Sequence, residues 1–427
     1  MNEKRVAITA LGLVCPLGMD VETSWANFND LTCAIGHFPQ SGVPPYFEYQ
    51  GRAGECNPPD DVPRQLTSQI RFLNRSSLLG LAAAREAFIH SGISDQDIPR
   101  EHRAVYIGSG DFTSVGYEFM YPAMKLASDS QWSRVDQEKL NRGAIDLVNP
   151  FFLLESLNNN LFSFLTAYLG FTGPSTSLSS QSPCGSNALE LAYRSIKQGR
   201  AVSALAVGCG SWLGDIPVYE MHGIGLLSGC QQGAGSYRPL SRGRDGFIPG
   251  EGGAAVLLED HDSAIRRGAT ILGWISGVGN TLSTAPEHGL GVSPEAYQAA
   301  VASALQEAGL ETRELGFVIA HGSGTRKGDG AELAALTELL AEDKVPVAAL
   351  KAQTGHMGAA SDLAEIIFGL RSASINRVPG TCNFSGAEAA FSTLMISKLP
   401  QPASKPYFLS TSLGIGGQIS TVVVERA

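Results

Sequence analysis

No stretch of this chain stays apolar for the roughly 18–20 residues that a bilayer-crossing helix requires, and no basic cluster is dense enough to hold nucleic acid or an anionic membrane surface. Charge is scarce throughout: 17% of the residues are charged and the net charge is −10. Membrane and nucleic-acid partners are therefore not expected. Cysteine is sparse too. Seven are scattered at positions 15, 33, 56, 184, 209, 230 and 382 with no Cys-x-x-Cys spacing, which supports neither a zinc site nor a disulfide framework. Scattered thiols, and a Met1–Ala10 stretch without a signal-peptide core, point to a cytoplasmic location.

What the chain has instead is bulk. Its 427 residues, 43% of them apolar, suit two domains or one large pseudo-duplicated one. Short apolar runs alternate with helical periodicity, the pattern of a layered α/β fold. Strands are predicted at 5–11, 104–108, 204–208, 254–259, 271–278, 317–320, 345–349, 408–411 and 419–425. Helices are predicted at 77–90, 184–198, 294–308, 330–340 and 359–373, with Gly199, Gly268, Gly309 and Gly380 at helix exits. The segments Tyr106-Ile-Gly-Ser-Gly and Val318-Ile-Ala-His-Gly-Ser-Gly read as one strand-to-loop element occurring twice. This divides the chain into halves at 1–260 and 261–427. Residues 120–149 are more polar and read as a helical excursion or partner surface.

The most telling segment is 173–192, a Ser/Gly-rich turn running into an amphipathic helix, the geometry that places a nucleophile at a helix N-terminus. It resembles the active-site segment of β-ketoacyl synthases, Gly-Pro-Ser-x-x-x-x-x-Ala-Cys-Ser/Thr-Ser-Gly. Three further segments match that family in order. They are Arg244-Asp-Gly-Phe-Ile-Pro-Gly-Glu-Gly-Gly-Ala, His321-Gly-Ser-Gly-Thr-Arg-Lys-Gly-Asp and Lys351-Ala-Gln-Thr-Gly-His356. The resemblance implies the thiolase-like fold: two pseudo-repeated halves with mixed sheets layered between helices, assembled as a dimer.

It also implies a chemistry, the decarboxylative Claisen condensation. A thiolate takes an acyl chain from its carrier, donors stabilise the enolate left when a malonyl thioester loses carbon dioxide, and backbone N–H groups hold the oxyanion. By resemblance His321 and His356 are the donors and Lys351 orients the site. The backbone of Ser182 and Ile415 supplies the oxyanion hole, with Leu413 beside it. No cofactor is implied, since the substrates ride on the phosphopantetheine of an acyl carrier protein. Arg244–Glu251 reads as a structural turn near the pocket. His37, His90, His102, His222, His261 and His288 carry no motif and read as surface or structural residues.

The departures matter as much. The family's cysteine falls on Ser182, and a serine hydroxyl is hardly ionised at neutral pH. Cys184 lies two residues late, turned about 200° around the helix start. The loop Leu413-Gly-Ile-Gly-Gly-Gln-Ile replaces the family's Phe-Gly-Phe-Gly-Gly-Thr-Asn. This pattern resembles the chain length factor of type II polyketide synthases, a subunit without the reactive cysteine that pairs with an active ketosynthase. Gly116–Met124 is similar to the segment lining the product tunnel there, which gives Tyr117, Met120 and Met124 as tunnel residues. Their i, i+3, i+7 spacing is equally that of a helix core. The expectation is a heterodimer subunit, inactive alone, whose partners are an active ketosynthase and an acyl carrier protein. The alternatives are a ketosynthase with Ser182 in place of cysteine, and an acyltransferase using Ser182 with His321 or His356.

Overall fold

The computed structural model describes residues 4–110, 119–155, 157, 159–180, 183–283, 292–340 and 342–427. Fifteen strands are present among them. Those of the first half are β1 (Val6–Val14), β2 (Ile35–His37), β3 (Tyr49–Gly51), β4 (Arg103–Ser109), β5 (Thr176–Ser179), β6 (Ser203–Ser211) and β7 (Glu251–Asp260). The second half holds β8 (Gly273–Leu282), β9 (Leu315–Ile319), β10 (Pro346–Ala348), β11 (Arg377–Val378), β12 (Met395–Ile396), β13 (Gln401–Pro402), β14 (Tyr407–Leu413) and β15 (Gln418–Arg426). Eleven form one mixed sheet in the order β12-β10-β9-β14-β15-β8-β1-β7-β6-β4-β5.

That order contains its own repeat. From β1 outward through β7, β6, β4 and β5, successive pairings are antiparallel, antiparallel, parallel and parallel. From β8 outward through β15, β14, β9 and β10 the series is identical. β1 pairs antiparallel with β8 and joins the two series. The two motif-bearing strands, β4 and β9, are thus equivalent, as their sequences suggest.

Alternating side chains fix the layers, because successive residues of a strand point to opposite faces. Ala104 and Tyr106 of β4 enter a central core with Phe317 and Ile319 of β9. Val105 and Ile107 enter one outer core, and Val318 the other. Helices Cys184–Lys197 and Ala359–Ser374 fill the central layer. Helix Arg75–Ser91 covers one outer face, while Pro294–Ala308 and Arg326–Leu339 cover the other. The single sheet thus supplies two sheet layers, one from each thiolase-like half, with helices between them and on both outer faces.

Two strands of this sheet escape the sequence reading. β5 is Thr-Ser-Leu-Ser, a polar edge strand without an apolar alternation, and β12 is two residues long. Gly199, Gly268 and Gly309 do adopt the left-handed conformation at helix exits (φ +71°, +70° and +68°). Gly380 does not serve the exit of Ala359–Ser374. That role falls to Asn376 (φ +55°), one of the few side chains tolerated there.

Candidate functional site

The site lies where the parallel strands of the second half end, the usual position for ligands in such sheets. His321 follows β9, Lys351 follows β10, and His356 precedes helix Ala359–Ser374. The imidazoles of His321 and His356 stand 5.3 Å apart between ring centroids, with planes inclined at 65°.

His356 is fixed on three sides. Its Nδ1 accepts the Gly358 N–H at 3.2 Å, which leaves the proton on Nε2 as a donor. Trp212 stacks on the ring at 4.6 Å and Phe247 packs at 5.0 Å. Trp212 is itself tied down, its Nε1–H donating to the Gly110 carbonyl at 2.5 Å. The turn needs glycine at 358: φ is +59°, and a Cβ would lie 3.0 Å from the Trp212 ring.

His321 is held through its backbone. Its N–H and that of Gly322 donate to the Glu332 carboxylate at 2.8 and 2.9 Å, and its carbonyl accepts from Lys351 Nζ at 2.7 Å. Lys351 also meets both Glu365 oxygens, at 2.8 and 2.9 Å. All four side chains are buried. Burial, reinforced by the Lys351 charge, holds both imidazoles well below their ordinary pKa, so they are neutral at physiological pH. Burial pushes Glu332 up to about 7, with Asp329 adding to the effect, and Glu365 up to about 8 against the pull of Lys351.

These residues open on a cavity of about 260 Å³ walled by Trp212, Phe247, His321, His356, Leu413 and Ile415, with Ser323, Thr325 and Lys327 towards one side. Two neutral imidazoles in an apolar cavity can donate hydrogen bonds to a developing enolate or carbonyl oxygen without themselves being charged. Arg244 is buried in the turn behind, donating to the Ser241, Thr325 and Arg326 carbonyls and to Glu388. That is the structural turn its motif suggests.

Of the residues singled out in the sequence, His321, His356, Leu413 and Ile415 line this one cavity, and Lys351 braces it from behind. Met120 and Met124 are half-buried at helix Tyr121–Ala127 and line no part of it. Neither belongs to the packed core: Ala123 makes the close contact with Gly143 of helix Gln137–Asp146. Ser182, Tyr117 and His288 lie outside the described residues.

The elbow helix is described from its first residues. Cys184 is buried, and its thiol donates to the Ser180 carbonyl at 2.8 Å. The N–H groups of Gly185 and Ser186 reach Asp362 Oδ2 at 3.1 and 3.4 Å. The two central helices touch backbone to backbone here, since a Cβ on Gly185 would stand 2.1 Å from the Ala359 carbonyl oxygen.

Glu332, Glu365, Asp362 and Trp212 are absent from the sequence reading. The signal for two of them is visible in hindsight. Asp362 and Glu365 sit inside Ala359-Ala-Ser-Asp-Leu-Ala-Glu-Ile-Ile-Phe, a mostly apolar stretch buried throughout, where a charged residue needs a buried partner.

Comparison with known proteins agrees with this geometry. Residues 3–264 match the model of the β-ketoacyl synthase N-terminal domain, and residues 272–385 that of the β-ketoacyl synthase C-terminal domain. A 3-oxoacyl-[acyl-carrier-protein] synthase 2 from Staphylococcus aureus is 26% identical over 434 residues, covering 100% of this chain and 99% of its own. Among solved structures, a type II PKS ketosynthase in complex with its acyl-carrier protein superposes with a TM-score of 0.84 at 21% identity, covering 100% of both chains. The ishigamide ketosynthase/chain length factor superposes with a TM-score of 0.82 at 21% identity, again over 100% of both. With both domain models matched in order around the paired histidines, the chain belongs to the β-ketoacyl synthase family.

Proposed function

We propose that this chain is a chain-length-factor-like subunit of a type II polyketide or related polyene synthase, which pairs with an active ketosynthase and forms no acyl-enzyme itself. The observation that carries the reading is a divided site. The cavity with two neutral imidazoles is complete, while serine replaces the family's cysteine at position 182. Condensation would proceed on the partner. There an acyl thioester on a cysteine is attacked by the enolate carbon of a malonyl unit as carbon dioxide leaves, and the thiolate departs. Both acyl groups arrive on the phosphopantetheine of an acyl carrier protein, and no metal or organic cofactor enters.

The surface supports a partner. Half of the large apolar side chains exposed among the described residues fall between 121 and 157, among them Tyr121, Trp132, Ile145 and Phe151. Exposed apolar side chains in that number are what an interaction face would present. β5 stands at the sheet edge, where a second chain can add. Tyr117, Met120 and Met124 would then limit the product tunnel from this side. A second reading, acyl transfer through Ser182, is favoured by one observation: both imidazoles are retained.

The test is reconstitution. Mixed with a type II ketosynthase that has its cysteine and with malonyl-loaded carrier protein, the chain should form a one-to-one complex by light scattering and yield extended product. Met124→Ala should lengthen that product by one or more two-carbon units. Product made by this chain without the partner would overturn the reading.

A further inference from the structure

We infer that Cys33 and Cys382 form a reversible disulfide under oxidising conditions, a clamp across the turn that carries Lys351. The inference goes beyond the subunit reading and stands independently of it.

The two thiols are far apart in sequence, and the fold brings them to one turn. The short turn Lys351–Gln353 is gripped from two sides. On one side stands the segment around Cys33. The Gln353 side-chain amide donates to the Phe28 and Thr32 carbonyls, at 3.1 Å each, and the Ala34 N–H donates to the Gln353 carbonyl at 2.8 Å. Between them the Cys33 thiol meets the Ala352 carbonyl at 3.6 Å. On the other side, Thr381 Oγ1 accepts the Ala349 N–H at 3.0 Å, and Cys382 packs in the cluster that contains Ile35 and Ala352. The sulfurs are near enough to act on each other. Burial pushes the Cys382 thiol up to about 11, and the charge of Cys33 adds to the rise. Each thiol makes only one long contact, Cys33 to Ala352 and Cys382 to Asn383 Oδ1 at 3.7 Å, and a thiol is a weak donor, so oxidation gives up little.

Exposure sets the order of events. Cys33 is exposed and Cys382 is half-buried, so a small disulfide such as glutathione disulfide meets Cys33 first. The Cys33 thiolate attacks one sulfur of the oxidant and expels one glutathione thiolate. Cys382 then loses its proton and attacks the Cys33 sulfur, expelling the second. Two electrons pass to the oxidant, and a dithiol reverses both steps. Lys351 Nζ holds the His321 carbonyl at 2.7 Å, so the closed clamp stiffens the support of the imidazole cavity.

The full chain is incubated with glutathione disulfide at pH 9, where a thiol titrating near 11 is about one part in a hundred thiolate. It is then blocked with N-ethylmaleimide and digested without reduction. Fragment sequencing should find Cys33 joined to Cys382, and dithiothreitol should release them. Cys382→Ser should stop at a glutathione adduct on Cys33, while Cys33→Ser should leave Cys382 for the maleimide. The oxidised chain should melt a few degrees above its reduced form, with no such rise in Cys33→Ser treated alike. A lasting glutathione adduct on Cys33 of the unaltered chain, or maleimide on both cysteines, overturns the inference. So does a closed disulfide that leaves the melting temperature unchanged. The unaltered chain decides alone should either variant not fold. Acylation of Ser182 is read on a different peptide, and would remove the subunit reading while leaving this one standing.

Discussion

Helices Ala359–Ser374 and Cys184–Lys197 hold equivalent places in the two halves and meet at their first turns, yet those turns do opposite things. The first begins at Gly358, whose N–H orients His356 so that its Nε2 proton is free to donate, with Trp212 and Phe247 packed against the ring. The second gives its leading N–H groups to Asp362, a residue of the first. One start serves the cavity and the other is closed by a buried side chain of its neighbour. Under the proposed function, the difference teaches that the polarising groups and the position of the family's nucleophile rest on separate elements. Either can change while the fold and the other persist.

The comparison breaks most severely at its rigid end. Trp212 is fully buried and forms the wall on which His356 rests. Trp212→Ala should cost about 3–5 kcal/mol, as truncation of a large buried aromatic does, and a melting curve reads it directly. An unchanged melting temperature would mean the wall carries no packing energy.

At the junction itself, Gly185→Ala opposes helix propensity with sterics. Alanine favours a helix interior by about 1 kcal/mol over glycine, but the obstacle is the Ala359 backbone, which cannot swing aside. Overpacking should win, for a net loss of about 2–3 kcal/mol. A stabilised variant would show that the two helix starts are not in contact.

Titration sharpens the contrast next. Glu332 and Glu365 bind their protons more tightly in the folded chain, at about 7 and about 8, than an ordinary carboxyl does. The stability they contribute is full below the unfolded range and is lost as pH rises through those values. His321 and His356 are displaced downward, so they weaken the fold only as pH falls below the unfolded value of about 6.5. Between pH 6.5 and 8.5 the acids act alone, and stability should fall by about 2 kcal/mol. Glu365→Gln should flatten most of that slope. A level melting temperature across the interval contradicts the assignment.

How much of this was legible in the sequence follows from the same physics. Short apolar runs marked β1, β4, β6, β7 and β15, because strands packed on both faces carry apolar side chains towards both. They could not mark β5, whose Thr-Ser-Leu-Ser lies at an edge. His321, Lys351 and His356 were readable because they carry motifs. Glu332 was not, since its meaning lies in backbone N–H groups 10–11 residues away. Trp212 likewise reads as a core aromatic until His356 is seen against it. Met120 and Met124 show the opposite error of spacing: helical periodicity suggested a core, and the core contact is made by Ala123.

The smallest effect on the chain itself lies at its exposed excursion. Ile145 is 82% exposed, so Ile145→Asp should leave the melting temperature of the isolated chain within the equivalent of about 0.5 kcal/mol. Its effect should appear only in assembly, as weaker association with a ketosynthase by analytical ultracentrifugation. Unaltered association would place the interface elsewhere.

The central claim, that this chain polarises but does not bond, is tested most directly by intact-mass analysis of the purified protein after incubation with acyl-loaded carrier protein. The expected spectrum shows the unmodified mass of the chain alone, and an acyl adduct only on a cysteine-bearing ketosynthase added in parallel. An acyl group mapped to Ser182 would contradict the account.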